Sequence, residues 1–264
     1  SKWKAIAREF QDRWQVPHAV GALDGKHVAI MKPSNSGSRY YNYKGFFSII
    51  LMGLVDANYK FLWADVGGDG SMSDAQIFNH SELKEVLESE EINLPPDDPL
   101  PNDDKPHPYF ILADDAFALK TWLVKPYSRR RPPLTRDERI ANYRISRGHR
   151  VVENAFGLMA LRWQVLLTTM RQKPEICRLI VKTCIILHNL MRTRFPIHHR
   201  GLVDWEDATG NIIPGAWRNT ANMHEVNQQK GCSREHTEAK RKREYLKLYF
   251  NSEAGKVEWQ ERMV

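Results

Sequence analysis

Cysteine is scarce in this chain. Cys177, Cys184 and Cys232 are the only three in 264 residues, and their spacing is not that of a metal-ligand set. This argues against a disulfide-stapled scaffold and for a reducing compartment. Long apolar runs are missing too, since none approaches the ~20 residues of a membrane-spanning helix. No signal-peptide pattern opens the sequence, and Ser1 is not a natural start, so further chain is expected before it. No internal repeat is found. What is present is a core-forming composition, 42% hydrophobic and 10% aromatic, which argues against global disorder. Lysine and arginine outnumber aspartate and glutamate by 39 to 32, a formal charge of +7. The resulting pI of about 9.3 suits a polyanionic partner.

Periodicity divides the chain into elements. Trp3, Ile6, Phe10 and Trp14 recur at helical spacing and predict a helix over 3–15. Strands are expected over 19–31, 46–56 and 59–66, the last two joined as an antiparallel hairpin through Asp56-Ala57-Asn58. A glycine loop at 67–71 leads to a helix over 74–90, capped by Ser71 or Ser73. Residues 93–108 are a Pro- and Asp-rich loop. A buried strand over 109–113 and a short helix over 116–123 follow. A helix over 137–163, broken near Gly148, precedes an apolar helix over 173–194. Residues 198–232 read as polar and irregular, and 233–250 as a charged helix. A fifth strand is not apparent, and 162–169 suits a segment of either type. The expected organisation is an N-terminal helix (1–18) packed on a core (19–195), followed by a mostly helical or irregular extension (196–264).

Three acids interrupt apolar stretches. Asp24 ends Ala19–Leu23, Asp114 ends Tyr109–Ala113, and Glu153 lies within Val151–Met159. A carboxylate in such a place costs several kcal/mol unless a cation or a hydrogen-bond network compensates it. Converging, the three would form an oxygen-rich site for Mg²⁺ or Mn²⁺. Two such ions roughly 4 Å apart can drive phosphodiester cleavage. Each acid has a plainer reading: Asp24 as the first residue of an Asp-Gly turn, Asp114 as a helix N-cap, Glu153 as a surface charge. Asp74 either orients the site from behind or charges a helix N-terminus. Asp56 and Asp65 read as structural. His149 precedes Glu153 by one helical turn and shares its face. His27 reads as a packing residue and His188 as a hydrogen-bonded core residue. Arginines crowd the segment 129–150, between the second and third acids. Arg129, Arg130, Arg131, Arg144, Arg147 and Arg150, with His149 and Lys44, are the expected contacts to DNA phosphates. Lys240–Arg243 reads as a nuclear localisation signal or as a helix surface.

The order of strands, helices and acids is that of a ribonuclease H-like α/β core. The motifs go further. Ala22-Leu23-Asp24-Gly25-Lys26-His27-Val28, Tyr41-Asn42-Tyr43-Lys44-Gly45, Gly70–Phe78, Leu112-Ala113-Asp114-Asp115-Ala116-Phe117, Val152–Gly157 and Leu187-His188-Asn189 resemble, in order, the motifs of PIF/Harbinger transposases and their domesticated nuclease relatives in the DDE superfamily. The resemblance covers about 19–192. It implies that Asp24, Asp114 and Glu153 are the catalytic carboxylates and ligands of two divalent metal ions, with Asp115 as the backup to Asp114. It further implies cleavage at transposon ends, strand transfer by a DNA 3′-OH, and action on double-stranded DNA in the nucleus. A Myb/SANT-like DNA-binding partner and a homo-oligomer are expected by the same analogy, with a helix-turn-helix before Ser1. The rival reading is a domesticated DNA- or chromatin-binding factor without catalysis. A third is an enzyme acting on RNA or hybrids.

Overall fold

An eleven-residue strand, β1 (Ala19–Ala29), is buried along nearly its whole length and organises the molecule. It follows helix α1 (Lys2–Trp14), which ends where Gln15 turns left-handed. Strands β2 (Ser48–Val55) and β3 (Phe61–Asp69) come next, then the short helices α2 (Asp74–Asn79) and α3 (Glu82–Glu88). A small hairpin, β4 (Asp98–Pro99) with β5 (Pro106–His107), precedes β6 (Phe110–Leu112) and β7 (Leu123–Val124). The long helices α4 (Arg136–Arg162) and α5 (Pro174–Arg194) follow. The C-terminal part holds β8 (Trp205–Glu206), β9 (Ile212–Ile213), α6 (Trp217–Thr220), β10 (His224–Glu225) and α7 (Thr237–Asn251). This computed structural model describes residues 1–128, 133–195, 201–207, 211–226 and 237–263.

The central sheet is mixed, in the order β3-β2-β1-β6-β7. β1, β2 and β3 pair antiparallel, whereas β6 runs parallel to both β1 and β7. Helices cover both faces, so the strands are nearly continuous apolar runs. The two-residue strand period sorts β2 between the layers. Ile49, Leu51 and Val55 join the apolar cluster of α4 and α5, while Ile50, Met52 and Leu54 join that of α2 and α3. β10 pairs antiparallel with β1 at Lys26 and His27. β2 holds the other edge there, so β10 takes the edge that β6 leaves after Ala22.

Several expectations are corrected. The helix expected over 74–90 is two helices, because Ser81 caps a second one by accepting from Lys84 N at 3.2 Å. No helix spans 116–123. Leu123 and Val124 instead form β7, the fifth strand of the main sheet, too short to leave a periodic signal. α4 runs unbroken through Gly148. That glycine marks close packing, since a Cβ there would meet Leu112 Cδ1 at 2.5 Å. Residues 164–167 form a 3₁₀ turn. The basic run Lys240–Arg243 lies within α7, where Arg243 is buried with its guanidinium 4.2 Å from the Tyr127 ring centre.

Candidate active site

The neighbour of β1 changes at Asp24. β6 pairs with the strand up to Ala22 and β10 from Lys26 onward, which opens a crevice at the intervening residues. Crevices beyond the carboxyl ends of strands are where sheets of this kind receive ligands. Asp114 lies two residues past β6 and enters the same crevice. α4 crosses above and contributes His149 and Glu153, one turn apart on one face. Asp24, Asp114, Asp115, Ser146, His149 and Glu153 thereby line one cleft of about 230 Å³, together with Glu225 of β10.

Cations already press on these acids. Lys26 Nζ lies 2.9 Å from Asp24 Oδ2 and also pairs with Glu225. Arg218 Nη2 donates to Glu153 Oε2 at 2.8 Å, while its Nε donates to both oxygens of buried Asp204. His149 Nε2 donates to Leu23 O at 3.0 Å, which fixes the ring against β1. Asp114 Oδ1 accepts from Ala116 N at 2.9 Å, the local turn that follows the strand.

Burial dominates the electrostatics. It raises the Asp24 carboxyl above its ordinary value, with the Asp114 charge adding to the shift against the pull of Lys26 and His149. Asp114 is raised for the same reason, with Asp115 and Glu225 adding to it. Glu225 is raised by burial and then by Asp24. Asp74 is raised well above the usual range, again by burial first, then by Asp24 and Asp114. Glu153 goes the other way. Burial opposes its charge most strongly, but His149, Arg218 and Lys26 together outweigh it and hold the carboxyl below its ordinary value.

Asp74 sits behind the cleft, buried against Gly25. A Cβ at Gly25 would lie 1.9 Å from Asp74 Oδ1, so only glycine admits that carboxylate so close to β1. Asp74 Oδ1 has no hydrogen-bond partner.

The donor set suits a hard divalent cation. It consists of carboxylate oxygens, and an ammonium already stands at Asp24 where positive charge is needed. In the present arrangement, no three His, Cys, Asp or Glu side chains among the described residues form a group that could hold a metal ion.

The expected DNA contacts fare differently. Arg144 is buried at 2% exposure. Its guanidinium donates to Gln15 O, Gly255 O and Gln260 Oε1 and stacks 4.4 Å from the Phe250 ring centre. Arg147 and Arg150 are buried and both pair with Glu206, at 2.6 and 3.2 Å. All three bind the C-terminal part of the chain to α4, and the reading of Arg144, Arg147 and Arg150 as phosphate contacts is corrected accordingly. His149 is likewise buried in the cleft. Lys44 is exposed, beside Tyr43. Arg129, Arg130 and Arg131 lie outside the described residues.

Lys26, Arg218, Asp204 and Glu225 complete the site, and sequence reasoning gave the last three no role in it. Arg218 and Glu225 fall in the stretch read as irregular, where no apolar pattern singles out a charge.

Buried acids thus gather where the mixed sheet changes partners. Residues 23–189 match the family described as DDE superfamily endonuclease, and the chain belongs to that family, in its Harbinger-derived branch. HARBI1 of Xenopus laevis, named as a candidate nuclease, is 30% identical over 195 residues, covering 71% of this chain and 50% of that protein. An ALP1-like protein of Arabidopsis thaliana is 26% identical over 239 residues, 88% of this chain and 53% of that protein. The Arabidopsis protein named Antagonist of Like Heterochromatin Protein 1 is 24% identical over 190 residues, 70% of this chain and 47% of that protein. The chain thus spans about half the length of the curated relatives it matches. No solved structure matches it. No helix among the described residues is long and apolar enough to cross a membrane.

Proposed function

We propose that this chain is the ribonuclease H-like catalytic core of a divalent-metal-dependent DNA endonuclease of transposase origin. The observation that carries the proposal is the meeting of Asp24, Asp114 and Glu153, from three different elements, in one cleft. Asp24, Asp114 and Glu153 would hold the Mg²⁺ or Mn²⁺ ions. Bound there, the ions would activate an attacking oxygen and stabilise the leaving one. The attacking group is water for nicking or a DNA 3′-OH for strand transfer. His149 holds the wall of the cleft to β1 through Leu23 O, and Arg218 fixes the Glu153 rotamer. Lys26 balances Asp24 in the resting protein. Nuclear action on double-stranded DNA, with a Myb/SANT-like partner, belongs to the same proposal. Divalent-metal-dependent cleavage of DNA carrying candidate transposon ends, with any such partner supplied, tests it.

One observation favours a second reading. Lys26 and Arg218 already neutralise Asp24 and Glu153, as a domesticated DNA- or chromatin-binding factor without catalysis would tolerate. Inert protein that still binds DNA would move this reading ahead.

With Arg144, Arg147 and Arg150 buried, we place the proposed DNA track elsewhere. Lys32, Arg39, Arg171 and Lys173 line a groove of about 490 Å³ beyond the end of β1. Ile30, which borders it, is bridged to Met170. From Asp24 to Ile30 the strand advances about 20 Å, or roughly six base steps of duplex. Charge reversal of Arg171 and Lys173 to Glu is therefore expected to weaken DNA binding by about tenfold or more at low salt and to flatten its salt dependence. Unchanged affinity and slope in a filter-binding titration would remove this groove from the track.

A further inference from the structure

The loop Tyr41-Asn42-Tyr43-Lys44-Gly45, on the connection from β1 to β2, lines no wall of the cleft, yet buried bonds fix its shape. Asn42 is buried. Its Oδ1 accepts from Lys44 N at 3.0 Å and from Phe46 N at 3.3 Å, and its Nδ2 donates to Ser48 Oγ at 2.9 Å. Ser48 Oγ in turn bonds His27 Nδ1 of β1 at 2.8 Å. Gly45 completes the turn at φ 86°, a conformation that favours glycine. Held outward on this scaffold, Tyr43 is 55% exposed and Lys44 beside it is exposed too. A buried amide that keeps a tyrosine and a lysine in solvent builds a contact surface rather than a core.

We infer that Tyr43 is a stacking platform for an unpaired base of the DNA strand that enters the cleft, with Lys44 taking an adjacent phosphate. Tyr43 stands at the mouth of that cleft. Its hydroxyl donates to Glu225 O at 3.4 Å. The Glu225 side chain lines the cleft and pairs with Lys26, which lies 2.9 Å from Asp24 Oδ2. The same connection from β1 to β2 carries Lys32 and Arg39 of the basic groove. A strand that follows this groove therefore reaches the cleft beside Tyr43.

Burial of the acids is the reason for an unpaired base. Asp24 is 3% exposed, in a cleft of about 230 Å³. A duplex, whose major groove alone is about 12 Å wide, does not fit there, so a phosphate that meets Asp24 has to leave the helical stack. Its base then lacks an apolar neighbour, and an aromatic ring supplies one whatever the base. Lys44 Nζ lies 5.5 Å from the Tyr43 ring centre. Being exposed, this lysine swings from the ring to a phosphate without stranding a buried group. DNA is the ligand on the nuclease reading proposed for the cleft, on which this role of Tyr43 rests.

Anisotropy titrations of the full chain in EDTA compare a blunt duplex with the same duplex ending in a fork of unpaired thymidines. Wild type is expected to bind the fork more tightly by about fivefold or more, the scale on which one stacked base acts. Tyr43→Ala should abolish that preference and leave affinity for the blunt duplex unchanged. Tyr43→Phe keeps the ring but loses the bond to Glu225 O, and should preserve the preference. Lys44→Ala should lower the salt slope on the fork by about one. A wild type without preference for the fork overturns the inference. So does a preference that survives Tyr43→Ala, or one lost equally in Tyr43→Phe, which would make the tyrosine only a tie to β10. Fork preference in a protein that never cuts DNA would sink the nuclease reading alone, and cleavage without fork preference would sink the stacking role alone.

Discussion

Asp114→Asn and Glu153→Gln will each lower metal-dependent DNA cleavage at least about 10³-fold, the scale on which losing a preorganised charge or a reacting group acts. The amides preserve shape. The new carboxamide at position 153 would still offer an oxygen to Arg218, and the one at position 114 an oxygen to Ala116 N, the bonds that Glu153 and Asp114 accept now. What disappears is the negative charge that a divalent cation needs. The fold should not suffer in Asp114→Asn. Burial raises the Asp114 carboxyl above its ordinary value of 3.8, so the folded state binds the proton more readily than the unfolded state. This group's contribution to stability therefore falls as pH rises from about 4 through the raised value. Asp114→Asn removes that decline, so at pH 7 the variant should be at least as stable as wild type while being inactive. Such an exchange of stability for chemistry is usual where an active site concentrates charge. Single-turnover cleavage beside thermal unfolding checks both halves, and full activity in either variant would remove that residue from the chemistry.

Arg144→Ala will destabilise the protein by about 3–5 kcal/mol, the scale on which emptied core space and stranded buried acceptors add together. Arg144 is among the largest fully buried side chains. Burial lowers its guanidinium to about 10, with the Arg147 charge acting in the same direction. Truncation would strand the Gln15 and Gly255 carbonyls, each unpaired acceptor costing about 1–3 kcal/mol, while Gln260 Oε1 would keep its bond from Val257 N. It would also empty the space against Phe250. Arg144→Lys should rescue only part of the loss, since one ammonium cannot reproduce the planar fork. Urea unfolding reads the effect, and a change below about 1 kcal/mol would contradict the structural role.

These residues also mark what could and could not be read from sequence. Asp24, Asp114 and Glu153 each stand out locally, because a charge inside an apolar stretch breaks the pattern that makes the strand or helix legible. β1, β2, β3 and β6 are legible for the same reason. Arg144 is not, because an arginine that ties α4 to Gln15, Gly255 and Gln260 has the same neighbours in sequence as one facing solvent. Partners more than a hundred residues away decide which it is. Glu225 meets Asp24 only because β10 takes the edge that β6 vacates, and a two-residue strand has no period to detect. Arg218 reaches Glu153 from a four-residue helix. The division at Ser81 rests on one capping hydroxyl, which the apolar positions on either side conceal.

Calorimetric titration of Mn²⁺ into the full chain at about pH 7.5 tests whether Asp24, Asp114 and Glu153 form one cation site. Saturable binding to wild type, lost in both Asp24→Asn and Glu153→Gln and accompanied by loss of the Mn²⁺-induced rise in unfolding temperature, is the predicted result. Equal binding to wild type and both variants would contradict it.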